Sequence, residues 1–314
     1  MTKLVLTIDW RTAAAGWPGG QLYLLDLEGH RVLDHYVGPL KPASLLQPGG
    51  WTGFRGVFCR GGQAYVADAD SIRVFDLKGD RFRLVEGWTC RRWYDIHDTW
   101  PGAPDEEGRE TWWITSTSSD EVVRVRKHGG HLLAGVEVWD AYLDPAVRNP
   151  ETGQTGRRSD LHHINSVCVQ GDQRWALAHR GGGVIRFAPG PTWIHPVRVH
   201  GGHSLRLTPQ GGVLVLDTRV EKVLLLDPRG SDKPVRTMDC GAKRLAPKVN
   251  PNTGKRADSG WLRGCVVLDG QRAVVGTSPA QLFVVNYRTG AVEDYWQIDE
   301  KDVRASTFGL DVVM

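Results

Sequence analysis

At 314 residues, of which 40% are hydrophobic and 24% charged, the chain has ample material for a large core and is too apolar to be disordered. Thirty-nine basic against 36 acidic side chains leave a formal charge of +3, which argues against a nucleic-acid binder or a membrane-surface protein. No run approaches the roughly 18 apolar residues of a membrane span, and the opening MTKLVLTIDWR has neither a signal-peptide apolar region nor a small-residue cleavage site. A cytoplasmic location is therefore expected. The five cysteines (Cys59, Cys90, Cys168, Cys240 and Cys265) show no C-x-x-C spacing, so they are expected to be reduced and not to form a zinc site.

In chain order, LVLTIDW, a turn in WRTAAAGWPGG and QLYLLDLEGH predict two strands. From Arg55, RGVFCRGGQAYVADADSIRVFDLKG predicts three strands joined by a Gly turn and a polar turn. The layout recurs in IHDTW at Ile96, which resumes as ETWWITSTSSDEVVRVRKHGG after the insertion PGAPDEEGR. It recurs again in HINSVCVQGDQRWALAHRGGGVIRFAPG from His163, HSLRLTPQGGVLVLDTRVEKVLLLDPRG from His203 and RGCVVLDGQRAVVGTSPAQLFVVNYRTG from Arg263, and the chain closes on FGLDVVM. Segments between copies, such as RFRLVEGWTC, HLLAGVEVWDAYL, TWIHPVRV and VEDYWQI, fit an outer fourth strand with Trp packed between neighbouring units. No long stretch has helical periodicity. These features predict one all-β domain over residues 1–314, a six-bladed β-propeller whose last strand pairs with strands from its beginning so that no sheet edge stays open. Seven blades are the alternative.

In such a ring the innermost strands line a central channel, and their leading residues converge on it. Those residues are Arg55, His97 with Asp98, His163 with Asn165, His203, Arg263 and Gly309. The second strands end in Asp9, Asp68, Ser116, His179 with Arg180, Asp217 and Thr277. Asp9, Asp68 and Asp217 are expected to cap their own turns. The imidazoles of His97, His163 and His203 suit general-base or nucleophilic work beside Arg55, Arg180 and Arg263, which would hold developing negative charge. The same three histidines could instead bind a divalent metal with an open position, or simply fill polar space. His162 is expected to face away from His163, and His30, His35, His128, His131, His195 and His200 are read as surface. Two near-twin loops, NPETGQTGRRSD and NPNTGKRADSG, carry Arg157 with Arg158 and Lys255 with Arg256. They are expected to overhang one channel mouth and attract anions.

The runs DLHHINSV at 160–167 and ALAHR at 176–180 resemble the arylsulfotransferase propellers, which use an H-x-N-S segment with an Arg at the end of the following strand. DIHD at 95–98 is similar to that family's H-D segment, and HSLRLTPQGGVLVLD to its next His-led blade. The resemblance implies that one of His97, His163 and His203 is transiently sulfated while the others, with Arg180, bind the sulfuryl group. GWLRGCVV and GTSPAQLFVV also resemble uncharacterised bacterial six-bladed relatives of that superfamily. A weaker similarity links the His163 blade to gluconolactonase-like propellers and implies a divalent-cation site in which Asn165 and Asp217 match; no Glu begins a repeat to complete it.

Three function classes follow. The leading expectation is an enzyme acting on a small anionic substrate in the channel by histidine-based group transfer or hydrolysis. In it Arg55, Arg263, Asn165, His179, Asp98 and the loop bases bind substrate. The second is a metal-dependent hydrolase, lyase or oxygenase using His97, His163 and His203, a divalent metal being the one cofactor these residues suggest. The third is a non-catalytic binding propeller. A closed ring needs no partner, so a monomer is the default.

Overall fold

Runs such as LVLT and VLVL are too short for helices, and bounded by Gly-containing turns they form strands. The computed structural model describes residues 1–10, 20–38, 52–89, 95–141, 143–144, 146–147, 161–181, 183–243, 261–278, 280–298 and 305–313. Among them are twenty-five strands and, besides these, only single-turn 3-10 helices.

The strands fall into antiparallel four-stranded runs. The chain starts with β1 (Lys3–Trp10), β2 (Gln21–Asp26) and β3 (Arg31–Val37), and a short β4 (Thr52–Gly53) also pairs with β1. The next two runs are β5 (Val57–Arg60), β6 (Gln63–Asp68), β7 (Ser71–Asp76) and β8 (Arg83–Thr89), then β9 (Ile96–Pro101), β10 (Thr111–Ser116), β11 (Glu121–His128) and β12 (His131–Asp140). A single parallel pairing of His131 with Thr89 joins these two at their outer edges. There follow β13 (Ile164–Gln170), β14 (Gln173–Ala178), β15 (Gly183–Ala188) and β16 (Trp193–Ile194), and then β17 (His203–Leu207), β18 (Val213–Asp217), β19 (Lys222–Leu226) and β20 (Arg236–Asp239). The last complete run is β21 (Leu262–Val267), β22 (Arg272–Thr277), β23 (Gln281–Asn286) and β24 (Ala291–Gln297). Finally β25 (Ala305–Val312) returns to β1, with Leu6 opposite Leu310 and Ile8 opposite Thr307. The first and last strands of the chain thus complete one blade, as the sequence predicts.

The innermost strands touch in the cyclic order β25, β5, β9, β13, β17, β21 and back to β25, which makes the molecule a β-propeller. Inner and middle strands are buried on both faces, whereas β3, β8 and β24 alternate with solvent. Between blades lie apolar layers such as Leu4, Leu6, Ile8 and Leu310 against Val274 and Leu282. Of the outer-strand tryptophans, Trp88 is fully buried in them as expected, while Trp139, Trp193 and Trp296 pack against them partly buried; Trp112, Trp113 and Trp175, on middle strands, are fully buried too, and the Tyr65 and Trp112 ring centroids are 4.3 Å apart. Cys59, Cys168 and Cys265 are buried free thiols, and Cys240 is buried as well. The surface reading of His195 fails. His195 is buried rather than at the surface, because its Nε2 lies 3.0 Å from the Asp227 carbonyl and its Nδ1 accepts from the Val197 N–H at 3.1 Å, so both ring nitrogens are satisfied away from water.

A detail of register decides what faces the axis. The pairing of the innermost strand slips just inside its start in β25, β9, β13, β17 and β21. In the β5 blade, Ala67 bonds both to the Arg55 N–H (2.9 Å) and to the Gly56 carbonyl (2.8 Å), an equivalent irregularity. A β-bulge bends the strand and re-aims its side chains. Aligned on it, the equivalent positions are Arg55, His97, Ile164, His203, Arg263 and Phe308. At Gly309 a Cβ would stand 2.4 Å from the Arg55 carbonyl oxygen, so no other residue fits there unshifted.

Candidate active site

Four imidazoles form an arc at one end of the channel. Ring centroids are 5.1 Å apart for His97 and His163, 5.2 Å for His163 and His179, and 4.7 Å for His179 and His203. Phe308 closes the arc, 5.2 Å from His97 and 6.4 Å from His203. The Arg55 and Arg263 guanidinium carbons lie 5.8 and 4.9 Å from the Phe308 centroid. His97, His203, Arg55 and Arg263 are buried, while His163 and His179 are part-exposed and face the opening. The three predicted histidines are therefore together, and His179, expected only as a binding residue, bridges two of them.

Their hydrogen bonds fix which nitrogen is reactive. The His203 Nδ1 lies 3.0 Å from the Gly201 carbonyl and 3.0 Å from the Thr218 Oγ1. The Thr218 hydroxyl itself donates to the Leu262 carbonyl at 2.8 Å, so its oxygen is an acceptor. The His203 proton is accordingly assigned to Nδ1 and the lone pair to Nε2. The His97 Nδ1 stands 2.9 Å from the Asp95 carbonyl and 3.0 Å from Arg55 Nη1. It cannot donate to one and accept from the other. Because Arg55 Nη1 is paired with the Asp95 carboxylate, we assign the donation to the carbonyl, which again leaves the lone pair on Nε2.

Charge follows from the same contacts. Although burial opposes its ionisation, Arg55 and then His97 hold the Asp95 carboxyl well below the usual carboxylate range. Burial, reinforced by the Arg55 charge, holds His97 well below the usual imidazole value. His179 is pushed down to about 3 by burial, then by His163 and Arg263. With His97 and His179 disfavoured as cations and the Arg55 charge met by Asp95, Arg263 is the cation through which the site can attract an anion.

His163 precedes β13 with a positive φ of 53°. The segment is gathered by Asp120, whose carboxylate accepts from the N–H groups of Leu161 (2.7 Å), His162 (3.1 Å) and His163 (2.7 Å). Asp120 was not legible as part of the site, since it belongs to the turn of the preceding blade. Asp120→Ala is expected to leave these donors unsatisfied and cost about 1–3 kcal/mol in denaturant unfolding; unchanged stability would show that the segment finds other acceptors.

The remaining expected residues are placed as follows. The Asp98 Oδ2 accepts from Ser166 Oγ (2.7 Å), the Val167 N–H (3.2 Å) and Arg206 Nη1 (3.2 Å), so it ties three blades together beneath the arc. Asn165 is buried beside it, its Nδ2 donating to the Gly202 carbonyl at 3.0 Å. Arg180 is exposed on the rim after β14. Asp68 caps its turn through the Ala69 N–H at 2.8 Å, whereas Asp217, against expectation, does not cap its own turn but holds the His200 N–H at 2.9 Å. Arg157, Arg158, Lys255 and Arg256, with the Asp9 side chain and Cys90, lie outside the described residues. Among the described residues no group of three or more His, Cys, Asp or Glu is placed to share a metal ion, so the His97, His163 and His203 ligand set is not formed. Arg206 and Asp311, unforeseen, lie deeper. Burial raises Asp311 to about 6 even though its carboxylate accepts from the Cys59 N–H at 2.5 Å. Burial pushes the Cys168 and Cys265 thiols up to about 11 and about 12, which makes them poor nucleophiles.

No protein-family model matches the chain, and a search of curated proteins finds no match. Solved structures are similar in fold. A Bacteroides caccae protein of unknown function has a TM-score of 0.60 at 10% identity, covering 100% of this chain and 99% of that one. The Pseudomonas aeruginosa periplasmic gluconolactonase has a TM-score of 0.52 at 15% identity, covering 100% and 99%. The Myceliophteria thermophila Cps50 (Swd1) β-propeller domain has 0.51 at 11%, covering 94% and 90%. At these identities the likeness is one of fold. It gives the gluconolactonase-like similarity a structural counterpart, while the arylsulfotransferase resemblance rests on the DLHHINSV and ALAHR motifs. Among the described residues no helix is long and apolar enough to cross a membrane.

Proposed function

We propose that the channel mouth is the active site of a hydrolytic enzyme for a small, anion-bearing substrate. The observation that carries this is the convergence of His97, His163, His179 and His203 with Arg55 and Arg263 around Phe308. The arginines hold the anionic group and stabilise charge developing on it, and an imidazole with its lone pair on Nε2, foremost His203, serves as general base. The gluconolactonase among the fold relatives supports a hydrolytic reading. Transfer of a sulfuryl group through a histidine is the second reading, favoured by the H-x-N-S and ALAHR motifs.

Inorganic sulfate and phosphate, titrated by calorimetry, test the site. Binding is expected to weaken at least tenfold in Arg263→Gln and to tighten as pH falls into the acid range toward the lowered His179 value. The sign follows from the lowered pKa values of His97 and His179. Both are neutral near pH 7, and an adjacent anion raises their pKa, so affinity increases as pH falls. Absence of sulfate or phosphate binding, or binding with no dependence on Arg263, would overturn the anion-site reading. Screening aryl sulfates, phosphate monoesters and lactones then tests turnover, which His203→Gln is expected to reduce by about 100-fold or more.

A further inference from the structure

Beneath the histidine arc the channel narrows to a small cavity on the axis, lined by His97, Asn165, His203, Ser204, Arg206 and Phe308 among others. The space open to a water's centre is about 10 Å³, about enough for one water molecule. Asn165 is 4% exposed, and its Oδ1 has no hydrogen-bond partner among the described residues. A buried amide oxygen without a donor is costly. Turning the amide over does not help, because Nδ2 donates to the Gly202 carbonyl at 3.0 Å and an oxygen in its place would face that carbonyl.

Resting on the hydrolytic reading above, we propose that this cavity holds one water molecule, positioned by Asn165, and that this water is the nucleophile. The lining selects it. The amide oxygen repels an anion, and the Arg206 guanidinium disfavours a metal cation. The Asp98 Oδ2 is already occupied by three donors. Water gives one proton to Asn165 Oδ1 and directs the other to a histidine Nε2. The Ser204 oxygen accepts from the Gly264 N–H at 3.1 Å, so the Ser204 O–H is oriented to donate elsewhere, and the water oxygen can receive it. In the reaction the His203 Nε2 takes a proton from the water as its oxygen bonds to the electrophilic centre held by the arginines. The bond from that centre to the leaving oxygen breaks, and the imidazolium returns the proton to that oxygen, so one water is consumed for each bond cleaved.

The test is a crystal structure of the full chain, alone and soaked with sulfate, at a resolution that shows ordered water. One density peak is expected about 2.7–3.2 Å from Asn165 Oδ1, and in the sulfate complex it is expected about 3–3.5 Å from the sulfur, the spacing of a near-attack arrangement. Asn165→Leu is expected to lose the peak while retaining sulfate. A dry cavity in the parent protein, contacts of about 2.3–2.6 Å that mark a metal cation, or Phe308 interposed between water and sulfate would overturn the proposal. A dry cavity with sulfate bound leaves the anion site standing and removes the water. A peak in a protein that binds neither sulfate nor phosphate removes the anion site and, with it, the nucleophilic role.

Discussion

Deletion of residues 305–314 is expected to abolish cooperative folding. β25 supplies the innermost strand of the blade it shares with β1, and without it β1 becomes an open edge facing the channel. The loss also reaches both neighbouring blades. Thr307 Oγ1 lies 3.0 and 3.1 Å from the Arg263 and Thr277 carbonyls, the Gly309 N–H donates to Thr7 Oγ1 at 2.6 Å, and Asp311 receives the Cys59 N–H. Leu310 is fully buried with Leu4, Leu6 and Ile8, and truncating one such side chain alone costs about 2–5 kcal/mol. Removing the strand therefore exceeds a typical total stability of about 5–15 kcal/mol. Soluble yield and thermal melting by circular dichroism measure this. A truncated chain that melts like the parent would refute closure by this strand, and Leu310→Ala offers the graded version should the deletion give no soluble protein.

Asp98→Ala is expected to destabilise the protein by about 3–5 kcal/mol in urea unfolding, the cost of leaving a buried charge without its partner. Arg206 is buried, stacked with its guanidinium carbon 5.3 Å from the Trp100 centroid, and Asp98 is the carboxylate with which it forms an ion pair. The same substitution removes the acceptor for Ser166 Oγ and the Val167 N–H, while Ser166 Oγ in turn receives the Leu205 N–H at 3.0 Å. The double variant Asp98→Leu with Arg206→Met is expected to recover much of the loss, because an apolar pair leaves no unpaired charge. A single-variant cost under about 1 kcal/mol would mean that water reaches Arg206 and replaces the carboxylate.

Much of this architecture was legible in the sequence, because repetition is itself the signal. The unit seen from Arg55, His203 and Arg263 recurs with the same turns, and FGLDVVM lacks partner strands near it in the chain, so ring closure follows from hydrophobic pattern and turn chemistry. Arg55, His97, His203 and Arg263 could likewise be picked out, since each stands at the start of an innermost strand. The reading slipped by one residue in two blades. Gly309 was expected where Phe308 stands, and His163 where the equivalent position is Ile164, because a bulge adds a residue without any mark in composition. What only the tertiary structure decided is which groups pair. Across blades, Asp95 neutralises Arg55, Asp120 gathers the backbone of His163 and Asp98 is committed to Arg206, over separations of 40, 43 and 108 residues, while within one blade Thr218 orients His203 from 15 residues away. Strand patterning is a local property with a period of two, whereas the partner of a buried charge depends on how neighbouring blades rotate about the axis. That rotation is set by inter-blade packing and leaves no periodic trace in the chain.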